Sequence, residues 1–318
     1  MPVKTIGLLT SGGDAPGMNA CIATIAARAE KLGLEVRGIF RGLQGLVNAD
    51  TIPIGVELEG LARRGGSFLG TSRNGRLESK LIDMGIEEAM KHCGVDGLIV
   101  LGGGGTLEAL GKLAIGGAPI IGVPCTIDND IFGTDYALGF DSAVNKALRA
   151  ADEIMDTAES LSERVFMIET LGGRAGHMAL ETAYSAGADA VFVHEVEPGI
   201  DAAINKIKTK MDAGGTHGLV VLCENLGLES IARQLEEGTG RRIRITVLGH
   251  TLRGGNPTYF DRNLARQFGE TAFDLLVSGE TEKMVACVGK DIVSVPLEHI
   301  AGKKRDLDMH KYDFVNQR

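Results

Sequence analysis

Four short segments of this 318-residue chain bring together residue types that bind anions or move protons. The first is Ser11-Gly12-Gly13-Asp14-Ala15-Pro16-Gly17-Met18-Asn19, between an apolar run and an amphipathic stretch. Its three glycines let backbone N–H groups converge on one anion, and a following helix adds its positive end. The second is Gly102-Gly103-Gly104-Gly105-Thr106. Four consecutive glycines are costly to order, so they point to close backbone approach of a nucleotide or to a hinge. In the third, Pro124–Asp130, Asp128 and Asp130 follow an apolar run two residues apart. That pairing suits one base and one metal-holding or orienting group; a surface Asx-turn is the plainer alternative. The fourth, Leu248–Gly255, sets His250 and Arg253 beside another glycine turn. Arg164, Arg244 and Arg253 stand near strand ends and suit bidentate capture of a phosphate.

None of these spacings is GxxxxGK[ST], and none is GxGxxG with a downstream ribose carboxylate. The phosphate-loop mechanism and a nicotinamide oxidoreductase are therefore set aside.

The elements that must position these segments alternate. Strands are predicted at Thr5–Thr10, Val36–Phe40, Gly97–Leu101, Pro119–Val123, Val165–Thr170, Ala188–Val193, Gly218–Cys223 and Arg244–Leu248, with a further short one at Ile292–Val295. Helices are predicted at Met18–Lys31, Leu107–Leu113, Ser142–Glu159, His177–Ser185, Ala202–Ala213 and Asn263–Val277. Such alternation favours parallel sheets covered by helices on both faces, which bind ligands at the carboxyl ends of their strands. The loops after Thr10, Leu101, Val123, Thr170 and Leu248 fall at those ends. A first crossing between two sheets is expected near Asp135–Asp141, with a return near Thr251.

Composition narrows the chemistry further. Glycine fills 45 positions, about twice average usage, with no collagen period. Net charge is −9, which repels a phosphate backbone, so no nucleic-acid partner is expected. Aromatic residues are 4% with no Trp, too few for base-stacking surfaces. The five cysteines are scattered without a CxxC pair and read as reduced, buried thiols. Glycine and charge interrupt every apolar run, and the first ten residues hold no apolar signal core, so no membrane association and a cytoplasmic location are expected.

Taken together, TSGGDAPGMNA, FLGTSR (Phe68–Arg73), TIDND, GFDSA (Gly139–Ala143) and VLGHTLRGGNPTYFDR resemble the phosphofructokinase family, collinearly over about 300 residues. The resemblance implies an α/β fold of two Rossmann-like α/β/α three-layer sandwich domains with mostly parallel sheets. It implies an ATP-binding domain at 1–139 plus 252–302 and a sugar-phosphate-binding domain at 140–251 plus 303–318. The implied activity is transfer of the terminal phosphoryl of ATP, with Mg2+, to the 1-hydroxyl of fructose 6-phosphate.

By the same likeness Asp128 takes the hydroxyl proton, while Thr126 and Asp130 orient groups and stabilise charge. Gly12, Arg73, Gly103, Gly104, Gly105 and Thr106 address the donor. Glu224 and His250 hold sugar hydroxyls, and Arg164, Arg244 and Arg253 clamp the 6-phosphate, with Gly172, Gly173 and Arg174 in the same pocket. A cytoplasmic homotetramer is expected, with two of the arginines reaching a neighbouring subunit's site. Pyrophosphate users of the family carry Asp at the position of Gly105 and Lys at that of Cys125, so ATP is the expected donor.

Three departures stand out. The family's GGDGT has an Asp serving Mg2+ where this chain has Gly104, leaving Asp130 as the metal candidate and a catalytically weak binding homologue as an alternative. Its MGR segment reads Leu171-Gly172-Gly173-Arg174, which suggests another sugar phosphate as a second alternative. Ala23, Ala27 and Gly214-Gly215-Thr216 stand where effector-binding arginines and a basic turn are usual, so effector control is expected to be weak or absent.

Overall fold

The computed structural model describes residues 3–55, 58, 60–72, 75–113 and 117–317. Its contacts divide the chain into two units: Met1–Ile127, Ile131–Ser142 and Arg253–Arg305 form the first, and Asp128–Asp130, Ala143–Leu252 and Asp306–Arg318 the second.

The first unit is built on β1 (Thr5–Ser11), β2 (Glu35–Ile39), β3 (Thr51–Pro53), β4 (Gly97–Gly102) and β5 (Ile120–Pro124), joined later in the chain by β10 (Lys283–Val288) and β11 (Asp291–Pro296). They form one sheet in the order β11-β10-β5-β4-β1-β2-β3. Its pairings are parallel except at the two edges, where β3 and β11 run antiparallel. Every residue of β4 and β5 is buried, which is why these strands read as unbroken apolar runs.

Successive side chains point to opposite faces of the sheet. On one face Leu9, Leu98, Val100, Ile120 and Met284 share a core with Leu107 and Leu110 of α5 (Gly104–Leu113) and with Ala89 and Met90 of α4 (Ile86–Cys93). On the other, α1 (Met18–Lys31) packs along α10 (Tyr259–Val277), burying Ile22, Ile25, Phe268 and Phe273.

The second unit carries a four-stranded, all-parallel sheet of β6 (Arg164–Thr170), β7 (Ala190–Phe192), β8 (His217–Cys223) and β9 (Arg242–Val247), in the order β7-β8-β6-β9. Phe166, Ile168, Val191, Leu219 and Val221 face α6 (Phe140–Ser160), α7 (His177–Ala186) and α11 (Met309–Gln317). Val165, Met167, Phe192, Val220 and Leu222 face α8 (Ile200–Asp212) and α9 (Leu228–Thr239). Both units are therefore α/β/α sandwiches with mostly parallel sheets. Edge strand β9 leaves Ile245 and Val247 exposed. Among the described residues no helix is long and apolar enough to cross a membrane.

Several elements differ from the sequence reading. Helices α2 (Leu43–Asn48), α3 (Gly75–Met84), α4, α9 and α11 and strands β3 and β10 are additions to it. The expected helix at Leu107–Leu113 begins three residues earlier, at Gly104, and so takes in two of the four glycines. A first-turn residue needs no intrahelical partner for its N–H, so glycine is cheaper there than in a helix interior.

Candidate active site

In the first unit two glycine loops lie at the carboxyl ends of neighbouring strands. β1 ends at Ser11 and pairs in register with Gly102 at the end of β4. Gly12 has φ 89°, a conformation that favours glycine, and its N–H donates to the Ser72 carbonyl at 3.3 Å. A β-carbon on Gly12 would stand 3.4 Å from Thr106 Oγ1 and 3.9 Å from Gly103 N, so the two loops face each other across a backbone-lined gap. Thr126 lies beside them: a β-carbon on Gly103 would come within 3.5 Å of Thr126 Cβ. Thr106 and Thr126 are both buried. Helix α5 opens at Gly104, so its positive end and first-turn N–H groups lie beside these loops.

A third strip of chain, residues 64–72, is laced onto the first loop. Asn19 Nδ2 donates to the carbonyls of Arg64 and Gly65, each at 3.2 Å, while its Oδ1 accepts from Phe68 N at 2.8 Å. Thr10 Oγ1 lies 2.7 Å from Ser67 Oγ and donates to Gly70 O at 2.8 Å. Nothing in the local pattern around Asn19 marks it as the residue that fastens this strip, because its partners are more than 40 positions away. Arg73, expected to address the donor, lies outside the described residues. Gly65 packs against the Gly255 backbone, and a β-carbon there would sit 2.0 Å from the Gly255 carbonyl oxygen. Backbone cannot yield as a side chain does. Gly65→Ala is expected to cost about 1–3 kcal/mol or more, read as a lowered Tm.

In the second unit the carboxyl end of β6 runs into Leu171-Gly172-Gly173-Arg174, where Gly172 has φ 154° and Gly173 has φ 63°. The N–H groups of Gly172 and Gly173 both donate to Glu224 Oε1, at 3.1 and 2.8 Å. His194 Nε2 lies 2.9 Å from the Glu224 carbonyl oxygen. Asp128, which gathers with this unit, places Oδ2 where a Gly173 β-carbon would be 3.5 Å away, and its Oδ1 is buried. The structure thus brings Asp128, Gly172, Gly173 and Glu224 together. Burial, and then the charges of Glu224 and Glu229, hold the neighbouring Glu169 carboxyl above its ordinary range. Asp130 is half-buried in the same short segment, while Arg174 and His250 are exposed.

Other candidates are dispersed. Arg164 opens β6, six residues before Thr170 at its carboxyl end, which at about 3.3 Å per residue is roughly 20 Å away along the strand. Arg244 sits mid-strand on β9, in register with Phe166. Neither shares a strand end with Glu224. Arg253 belongs to the first unit, where Nη1 donates to the Asp14 carbonyl at 3.4 Å.

The motifs and their geometry agree with a wider comparison. A model of the phosphofructokinase family matches residues 5–276. The chain belongs to the phosphofructokinase family. It is 38% identical over 314 residues to the ATP-dependent 6-phosphofructokinase of Natranaerobius thermophilus, covering 98% of each chain. Against ATP-dependent 6-phosphofructokinase 1 of Thermus thermophilus it is 39% identical over 314 residues, covering 96% of each. Among solved structures it is similar to phosphofructokinase from Saccharomyces cerevisiae, with TM-score 0.83 and 27% identity over 93% of this chain and 45% of that one. It also shares its fold with a pyrophosphate-dependent phosphofructokinase from Marinobacter aquaeolei, with TM-score 0.82 and 21% identity over 96% of this chain and 86% of that one.

For this family member the metal question turns on donor atoms. Among the described residues no three His, Cys, Asp or Glu side chains gather as a metal site. Gly102–Thr106 offers backbone groups and one buried hydroxyl, with no carboxylate. That set does not fit a Mg2+ ion held by the loop itself, since Mg2+ seeks carboxylate, phosphate or water oxygens in octahedral array.

Proposed function

We propose that the chain is an ATP-dependent 6-phosphofructokinase that moves the terminal phosphoryl of ATP to the 1-hydroxyl of fructose 6-phosphate. The observation that carries this reading is the placement of the Asp128 carboxylate against the Gly172–Gly173 turn that Glu224 fixes. A base is thereby set beside groups suited to sugar hydroxyls. Asp128 accepts the proton of the acceptor hydroxyl, whose oxygen bonds to the γ-phosphorus as the bond to the β–γ bridging oxygen breaks and ADP leaves. Phosphoryl transfer asks for positioning and charge stabilisation more than for covalent help from the protein.

The first unit serves as the ATP-binding domain, with Gly12, Gly103, Gly104, Gly105, Thr106 and Arg73 around the phosphates and Thr126 and Asp130 as orienting groups. Space at Gly105, where an added β-carbon meets nothing within 4 Å, supports a nucleotide over pyrophosphate. The second unit holds the sugar phosphate through Glu224, His250, Gly172, Gly173 and Arg174. Arg164 and Arg244, set back from that strand end, act in the site of a neighbouring copy within a cytoplasmic homotetramer, and the exposed Ile245 and Val247 of edge strand β9 leave a surface open to such association.

Gly173 favours a second reading for the acceptor. Its φ of 63° suits glycine, and the position offers no guanidinium to a phosphate. ADP release measured with ATP and fructose 6-phosphate tests both. Turnover with ATP and none with pyrophosphate is expected. Silence with fructose 6-phosphate, alongside turnover of another sugar phosphate, transfers the assignment to that acceptor.

A further inference from the structure

Gly104 is unexplained by its own surroundings. It lies outside the left-handed backbone region, and an added β-carbon would touch only Ile131 Cγ1, at 3.9 Å. Neither strain nor crowding requires glycine here, in contrast with Gly12 at φ 89° or Gly65 against backbone. Its effect must be sought in what the position leaves out, which is a side chain at the first residue of α5 beside the donor gap.

The groups of the loop itself carry one sign. The opening turn of α5 contains no acidic residue, and its free N–H groups present partial positive charge. Thr106 adds only a hydroxyl, and no carboxylate lies within Gly102–Thr106 to hold a cation or to repel phosphate. An anion of higher charge gains more from such a field than one already neutralised by a metal.

We propose that Gly104 makes donor binding independent of Mg2+, so that the loop takes metal-free ATP at least as tightly as the Mg2+ complex. This rests on the reading of Gly102–Thr106 as the donor loop and concerns its selectivity, not a new site. The metal then enters on the nucleotide's phosphates. ATP in excess over Mg2+ competes with the productive complex, and turnover falls as the ratio rises.

Calorimetric titration of the full chain with ATP, in EDTA and in excess MgCl2, tests the proposal without any catalytic readout. The native chain should bind metal-free ATP with a Kd equal to or below that of the Mg2+ complex. Gly104→Asp places a carboxylate at a position with room for it, and should raise the Kd for metal-free ATP about tenfold relative to the Mg2+ complex. Gly104→Asn, of nearly the same shape but neutral, should keep the native ratio and controls for folding. A native chain that binds ATP about tenfold more tightly with Mg2+, or equal ratios in the Asp and Asn variants, overturns the proposal. Absence of ATP binding under both conditions overturns the donor-loop reading itself.

Discussion

Asp128→Asn is expected to lower kcat about 10²–10⁴-fold, the usual contribution of a positioned general base, while KM for fructose 6-phosphate changes only severalfold. Asn matches the shape of Asp, so the packing against the Gly172–Gly173 turn survives while the proton acceptor is lost. Steady-state rates for the native chain, Asp128→Asn and Asp130→Asn form the comparison. Asp130→Asn should lose less, because an orienting group is partly replaced by an amide that still hydrogen-bonds. Equal losses in the two variants, or an unaltered kcat in Asp128→Asn, would remove Asp128 as the base. A loss confined to KM would instead make it a binding group.

The second large effect is expected at Asp261, a fully buried carboxylate in the first turn of α10. Its Oδ1 accepts from Gly139 N at 3.0 Å, and its Oδ2 accepts from Ser142 N at 2.8 Å and from Ser142 Oγ. It thereby satisfies the amino end of α6, whose first N–H groups have no intrahelical partner. In return Asp141 of α6 accepts from the hydroxyl of Thr258, the N-cap of α10, whose own oxygen accepts from Asp261 N at 3.3 Å.

Burial pushes the Asp261 carboxyl up to about 6 from 3.8, helped by the nearby Asp141 charge and opposed by the hydrogen bonds from Ser142 and Gly139. A raised folded value means that the folded state holds the proton more tightly than the unfolded chain. The stability gained through this group is therefore fully present below pH 3.8 and is lost as pH rises through about 6. Between about pH 8 and about pH 5 the group alone should add about 1.4 kcal/mol. Asp261→Asn should cost about 2–4 kcal/mol by setting its amide against the Ser142 N–H, and should flatten that pH dependence. Denaturant melts of both proteins across this range provide the check; parallel slopes would show that another group is responsible.

The contrast between these two aspartates shows what sequence alone can reveal. Asp128 draws attention in the sequence because it stands four residues past the end of β5, and the residues just past a buried parallel strand are where such sheets hold their ligands. Asp261 does not, since it occupies an ordinary first-turn acidic position in an amphipathic helix while its partners lie 119 and 122 residues away. The fully buried strands β4 and β5 announce themselves by unbroken apolar runs. The start of α5 does not, because glycine's poor helix propensity masks a first turn that makes little demand on it. Helix α9 buries Ile231, Ala232 and Leu235 in a regular pattern, yet escapes notice for want of a strong stop before Thr239. Arg164 reads as part of the phosphate clamp by its closeness to a strand end, but residue type and proximity to an end do not say which end.

The late arrival of β10 and β11 in the first sheet bears on how the molecule is made. Lys283 and Met284 pair with Ile121 and Gly122 only after more than 150 further residues have left the ribosome. Until then β5 has an open flank of unpaired amides and carbonyls on an apolar strand, the kind of template that recruits other extended chains. Nascent polypeptides halted short of the β10–β11 hairpin should be sticky intermediates that depend on holding factors, even where the remainder of the sandwich has already condensed.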